Sequence, residues 1–165
     1  MRESLPNGGK EGQELSHAAV LLPVYKKEGE CFLVFTKRTK LTHHAGDVSF
    51  PGGSYEEKDG DLKNTALRES HEEIGLDPKD VRILGKLSEV RTLTSYYLVT
   101  PYIGLIPYPY DFKVNEKEVE ELIEVPVSAL QEKNEGRWVY KGHVIWGVTA
   151  MILSDFLSFV SSYDA

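Results

Sequence analysis

The chain is short of several things that would each have pointed to a different kind of protein. It holds one cysteine, Cys31, among 165 residues, so no internal disulfide can form and the thiol suits a reducing compartment. Basic residues are in deficit: 19 Lys and Arg against 26 Asp and Glu give a formal net charge of -7. A general nucleic-acid surface needs a basic stripe to replace phosphate counterions, and none is available. No apolar run approaches the roughly 18–20 residues that span a bilayer. Residues 1–16 lack the apolar centre of a signal peptide and read as a polar, flexible leader. Internal repeats and low-complexity linkers are absent. These observations predict a soluble intracellular, cytoplasmic protein with one domain over residues 17–165, a monomer or homodimer that meets neither nucleic acid nor membrane.

What is present reads as a mixed α and β domain. His17 to Tyr25 and Cys31 to Thr36 are short apolar runs joined through 26–30, the pattern of a hairpin. Pro23 predicts a strand edge or bulge, because proline cannot donate to a ladder. Further strands are expected in VRILGKLSEV, SYYLVTPYIGLI and EELIEV, with PYPYDFKVNEKE as a loop and VSALQEK as a short helix. RWVYKGHVIW has the form of a hairpin turning at Lys141-Gly142. GVTAMILSDFLSFVSSY has helical periodicity, with Ile152, Phe156 and Phe159 or Val160 on one side.

The chemistry concentrates between Phe50 and Leu76. Asp59 and Asp61 are both suitable N-caps for a helix starting near 61 or 62, and Gly75 is a suitable stop. On that helix Glu69, Glu72 and Glu73 fall within about a 100° arc, since i, i+3 and i+4 share a face. Arg68 lies one turn before Glu72 and can pair with it, while Leu67, Ser70 and Ile74 form a second, inward stripe. A Glu-rich helix is ordinarily a solvated face. Three clustered carboxylates become costly once partly buried unless a cation or a raised pKa relieves them, and oxygen donors suit Mg²⁺ or Mn²⁺ rather than zinc. Gly52 and Gly53, just upstream, let the backbone take positive φ or pass close to a ligand. His43 and His44 are adjacent, so on an extended chain they point apart; contact with substrate or loop packing fits them better than joint metal ligation. The acidic run Glu116, Glu118, Glu120, Glu121 and Glu124 reads as a solvated face from which one member could complete the metal site.

From Gly53 to Leu76 the sequence resembles the Nudix box, G-x5-E-x7-R-E-U-x-E-E-x-G-U, where U is bulky and aliphatic. Arg68, Glu69, Glu72, Glu73, Gly75 and Leu76 match its second half. Gly53 to Arg68 is one residue longer than the pattern, the single Glu is replaced by a region holding Asp59 and Asp61, and Ser70 stands at an aliphatic position. Upstream, FLVFTKR supplies Thr36 and Arg38, and HHAGDVSFPGG supplies Gly46 and Phe50 to Gly53, which is similar to the coenzyme A pyrophosphatase branch. That branch carries a second Arg where this chain has Thr42 or His43.

The resemblance implies a Nudix-like α/β/α sandwich with a central mixed β-sheet, an α+β arrangement with the box helix on one side and the C-terminal helix on the other. It implies a metal-dependent hydrolase of a nucleoside-linked diphosphate, with coenzyme A or acyl-coenzyme A as the expected small-molecule nucleotide substrate. ADP-ribose hydrolysis, a non-catalytic nucleotide-binding module and a regulatory partner are the other readings. The implied metal ligands are Glu69, Glu72 and Glu73, with Mg²⁺ or Mn²⁺ as cofactor. Arg68 orients the carboxylates, Glu69 or Glu118 accepts the proton of water, and Arg38, Gly46, Phe50, Gly52 and Gly53 bind substrate.

Overall fold

The computed structural model describes residues 14–40, 46–92, 95–133 and 136–163. Most of the polar leader, together with Thr42, His43 and His44, lies outside the described residues.

Two long strands, β1 (Ser16–Lys27) and β2 (Glu30–Arg38), pair antiparallel from Val24↔Leu33 to Lys27↔Glu30. Their two-residue connection, Glu28-Gly29, has positive φ at both positions, 52° and 78°, the geometry whose twist matches that of the flanking strands. The chain continues through β3 (Val48–Ser49), β4 (Gly52–Ser54) and helix α1 (Leu62–Ile74). It then forms β5 (Arg82–Lys86), β6 (Val90–Arg91), β7 (Tyr97–Leu105) and β8 (Val119–Pro126). β9 (Gln131–Lys133), β10 (Arg137–Tyr140) and β11 (His143–Ile145) make a separate small sheet before helix α2 (Gly147–Tyr163).

The main sheet has the order β3-β2-β1-β7-β5, with β4 on β1, β6 on β7 and β8 on β2. β1 and β7 run parallel and the other described pairs antiparallel, so the sheet is mixed. Side chains on successive strand positions point to opposite faces, and the buried residues divide accordingly. Ala18, Leu22, Val24, Leu33 and Phe35 join Ile152, Leu153 and Phe156 of α2 in one core. Ala19, Leu21, Tyr25 and Val34 join Ala66 and Ile74 of α1 in the other. The result is the α/β/α layering expected, with α1 and α2 on opposite faces.

Two expectations change on contact with the fold, and one alternative is resolved. Pro23 sits on a central strand rather than at an edge or bulge. The amide of Leu21, on the same side of β1, donates to Pro51 at 2.9 Å, whereas antiparallel pairing to β2 begins only at Val24. The missing N–H therefore falls where β1 changes partner from β4 to β2. VSALQEK is not a helix: Val127–Ala129 makes one 3₁₀ turn and Gln131–Lys133 extends into β9, because Gln131 and Lys133 find partners across from Val139 and Arg137. On α2, Phe159 is exposed and Val160 packs against the core.

Candidate active site

The site is held on α1 and on the segments that face its polar side. Asp61 caps the helix, its side chain accepting from the Asn64 amide at 2.8 Å, and Gly75 ends it in the left-handed conformation at φ 68°. The buried face is Thr65, Ala66, Ser70 and Ile74, with Leu67 only half-buried. Ser70, at the aliphatic position of the box, returns its hydroxyl to the Ala66 carbonyl at 2.7 Å. Its polarity is thereby satisfied inside the helix.

Arg68 is the organising cation. Its Nε donates to Asp59 Oδ1 at 2.7 Å and its Nη2 to Asp59 Oδ2 at 3.2 Å and to the Ser54 carbonyl at 3.0 Å. Nη1 reaches Glu69 Oε1 at 3.0 Å and both oxygens of Glu72 at 3.3 Å. Asp59 is buried and also accepts from the Glu56 amide at 3.0 Å and the Thr65 hydroxyl at 2.9 Å. The Arg68 guanidinium holds its carboxyl well below the usual range, with the other donors acting in the same direction. Sequence reasoning offered Asp59 as an N-cap and, together with Asp61, as part of the region replacing the box's single Glu, without choosing between the two. The signal was present, since Asp59 follows Gly53 at the spacing of the box's single Glu.

The two glycines have steric duties. Neither has a positive φ. A Cβ on Gly52 would run into the Ala19 carbonyl oxygen, and one on Gly53 would lie 2.5 Å from Glu69 Cδ and Oε1. Gly53 thus lets β4 and the Glu69 carboxylate meet. Phe50 is placed in the core, stacked on Phe35 with ring centroids 4.5 Å apart. Gly46, at φ 82°, donates its amide to the Arg38 carbonyl at 3.0 Å and closes the loop after β2.

One cleft brings together Thr36, Arg38, Glu73, Glu118 and Val119. The register of β2 against β8 slips between Lys37 and Arg38, a bulge that re-aims the strand end beside this cleft. Burial pushes the Glu73 carboxyl up to about 8, opposed by Arg38 and reinforced by Glu69 and Glu118; the Gly52 amide donates to it. Burial also raises Glu69, against the pull of Arg68, with Glu72 and Glu118 adding to the rise. The structure therefore groups Glu73, Glu118 and Arg38 around the cleft, with Glu69 behind against Gly53. Glu72 stands exposed at the outer side of Arg68.

Carboxylates that raise one another and offer only oxygen are the donors that a hard divalent cation neutralises. In donor chemistry the site fits Mg²⁺ or Mn²⁺. Among the described residues, no three His, Cys, Asp or Glu side chains converge closely enough to hold an ion as they stand. Arg68 occupies Glu69 and Glu72 instead.

A model of the NUDIX domain matches residues 15–144. An uncharacterized Nudix hydrolase, NudL, of Photorhabdus laumondii subsp. laumondii is 37% identical over 152 residues, covering 83% of this chain and 81% of that protein. Among solved structures, the Nudix hydrolase RenU of M. smegmatis aligns with TM-score 0.68 at 18% identity, over 92% of this chain and 88% of that one. The NUDIX domain of Shewanella oneidensis NrtR, complexed with ADP ribose, aligns with TM-score 0.57 at 18% identity, over 76% and 80%. At these identities the two structures share the fold alone.

Proposed function

Because the chain belongs to the Nudix hydrolase family, we propose that it cleaves the diphosphate of coenzyme A or an acyl-coenzyme A, releasing 3′,5′-ADP and 4′-phosphopantetheine or its acyl form. Family membership makes it an enzyme acting on a nucleoside diphosphate derivative; the choice of coenzyme A is the further step. The observation that carries it is the composition of the cleft. Thr36 and Arg38, from the motif that resembles the coenzyme A branch, line the same cleft as Glu73 of the box.

A divalent cation held by Glu69, Glu73 and Glu72 would supply the Lewis acidity that polarises the phosphate oxygens and activates water. The chain's own groups do the rest. Arg38 meets a substrate phosphate, having its guanidinium close enough to Glu73 to oppose that carboxyl's rise. Arg68, fixed by Asp59, orients Glu69 and Glu72 and prevents their charges from splaying apart. The oxygen of water bonds to one phosphorus, the bridging P–O bond breaks, and the proton passes to Glu69 or Glu118. Gly53 keeps Glu69 against β4, so the carboxylate does not wander during the cycle.

The test is a substrate panel of coenzyme A, acetyl-coenzyme A, ADP-ribose, NADH and diadenosine polyphosphates with Mg²⁺ or Mn²⁺, with products separated by chromatography. Coenzyme A compounds should turn over fastest. Rapid ADP-ribose cleavage beside inert coenzyme A would transfer the assignment to the ligand seen with the NrtR domain. Glu73→Gln should remove most of the activity while leaving the fold intact by circular dichroism, and a fully active variant would displace the site from α1.

A further inference from the structure

Glu118 is the last residue of a turn at 116–118 that enters β8, and it stands exposed at the cleft. An exposed carboxylate on a turn acts at one place only if its backbone is held. The loop before the turn is tied to the end of α1: Lys113 donates its amide to the Ile74 carbonyl at 2.9 Å, and Asn115 donates to the Glu73 carbonyl at 2.8 Å. The Asn115 carbonyl accepts from the amides of Glu118 at 3.0 Å and Val119 at 2.9 Å. Its side-chain Oδ1 accepts from the Lys117 amide at 3.2 Å. From the other side, the Thr39 hydroxyl donates to the Lys117 carbonyl at 2.8 Å, and the Thr39 amide donates to the Glu118 carbonyl at 3.1 Å.

Both backbone groups of Lys117 are thus held by side chains. One belongs to the residue whose amide caps Glu73, the other to the residue that follows Arg38. We propose that Thr39 and Asn115 form a clamp that positions Glu118 relative to Glu73 and Arg38 for the hydrolytic step. The proposal rests on the reading of this cleft as the site of diphosphate hydrolysis. Neither clamp residue needs to touch substrate. Each limits where the Glu118 carboxylate can reach, and the two approach Lys117 from different elements, so losing either one leaves Lys117 held by a side chain from one side only, while the backbone bonds among Thr39, Asn115, Glu118 and Val119 stay in place.

The experiment is a double-mutant cycle on the full chain with its divalent ion. Thr39→Val keeps the side-chain size and removes the hydroxyl. It should lower kcat about 3- to 10-fold, the scale of one neutral hydrogen bond, with KM and melting temperature nearly unchanged, and Thr39→Ser should restore the rate. In a Glu118→Ala background the same change should cost nothing further. Equal losses in both backgrounds, or no loss in the first, would overturn the clamp. A readout independent of turnover is amide exchange at Lys117, which should accelerate in Asn115→Ala; unchanged exchange would overturn it equally. Failure of the functional reading is separately visible, as absence of diphosphate hydrolysis by the unaltered protein.

Discussion

Asp59→Asn tests the site's architecture directly, because the substitution alters charge and hydrogen bonding while keeping shape. The Asp59 side chain is 2% exposed against 17% for Arg68. Oδ1 takes the Arg68 Nε donor, and Oδ2 takes Arg68 Nη2, the Glu56 amide and the Thr65 hydroxyl. An asparagine has one acceptor oxygen, so whichever way its amide turns, at least one N–H of Arg68 meets another N–H. Removing one partner of a fully buried ion pair costs about 3–5 kcal/mol. Arg68 keeps Glu69 at 3.0 Å and Glu72 at 3.3 Å, so about 2–3 kcal/mol is expected, the scale of charged hydrogen bonds. With a urea m-value of about 2 kcal/mol/M, the midpoint at pH 7 should fall by about 1 M. The pH dependence has a definite sign. A folded-state pKa held below the unfolded value near 3.9 means that the unfolded chain binds more protons in that window. The stabilisation is therefore present above about pH 4 and lost as pH falls through the folded value. The gap between the two proteins should close on acidification. A midpoint shift under about 0.2 M at pH 7, or a gap that does not change between pH 6 and pH 2.5, would refute the account.

Gly53→Ala pushes a Cβ into Glu69 at 2.5 Å; kcat should drop about 10- to 100-fold through misplacement of the carboxylate, with a smaller effect on urea midpoint. If activity is unaltered, Glu69 does not need its present position. Asp61→Ala removes the helix cap and should destabilise by about 1 kcal/mol with kcat unchanged, since the Asp61 carboxylate is engaged by the Asn64 amide at 2.8 Å; a large kcat loss would contradict this. Chelation by EDTA should abolish turnover and leave the far-ultraviolet circular dichroism in place, with activity returning on addition of Mg²⁺ or Mn²⁺. Turnover that survives chelation would count against a metal-dependent reaction.

The limits of α1 were legible because each rests on contacts within about five residues. Asp61 reaches the amide of Asn64, and Gly75 takes a conformation that glycine favours. The same locality made the Lys141-Gly142 turn readable, with φ of 45° and 80° at its two positions. The short apolar runs of β1 and β2 read as strands, and their unbroken burial from 21 to 25 and from 33 to 36 is that of a sheet covered on both faces; the Arg68-Glu69 and Glu72-Glu73 pairs marked the candidate site. Glu118 as a cleft residue came from likeness to a known branch, since its own acidic run reads as a solvated edge.

Other features depend on where distant segments meet, and no local pattern carries that. Asp59 and Asp61 are equivalent as caps in the sequence; Asp59 turns inward because Thr65 and Arg68, six and nine residues on, project from α1 toward it. Pro23 is tolerated in mid-strand because β4 ends on β1 before β2 begins to pair with it. Gly53 looks like a turn residue until the Glu69 carboxylate is seen lying over it. Which carboxylate faces the cleft and which lies along Arg68 was also settled at long range, by the bulge at Arg38 and by the ties from α1 to Lys113 and Asn115 just before the turn at 116–118. Residue types and spacings set the helix, the strands and the chemistry that they could hold. The burial that raises Glu73 and the choice of Asp59 as the anchor of Arg68 arise from packing between elements, where each group's energy depends on neighbours far away in the chain.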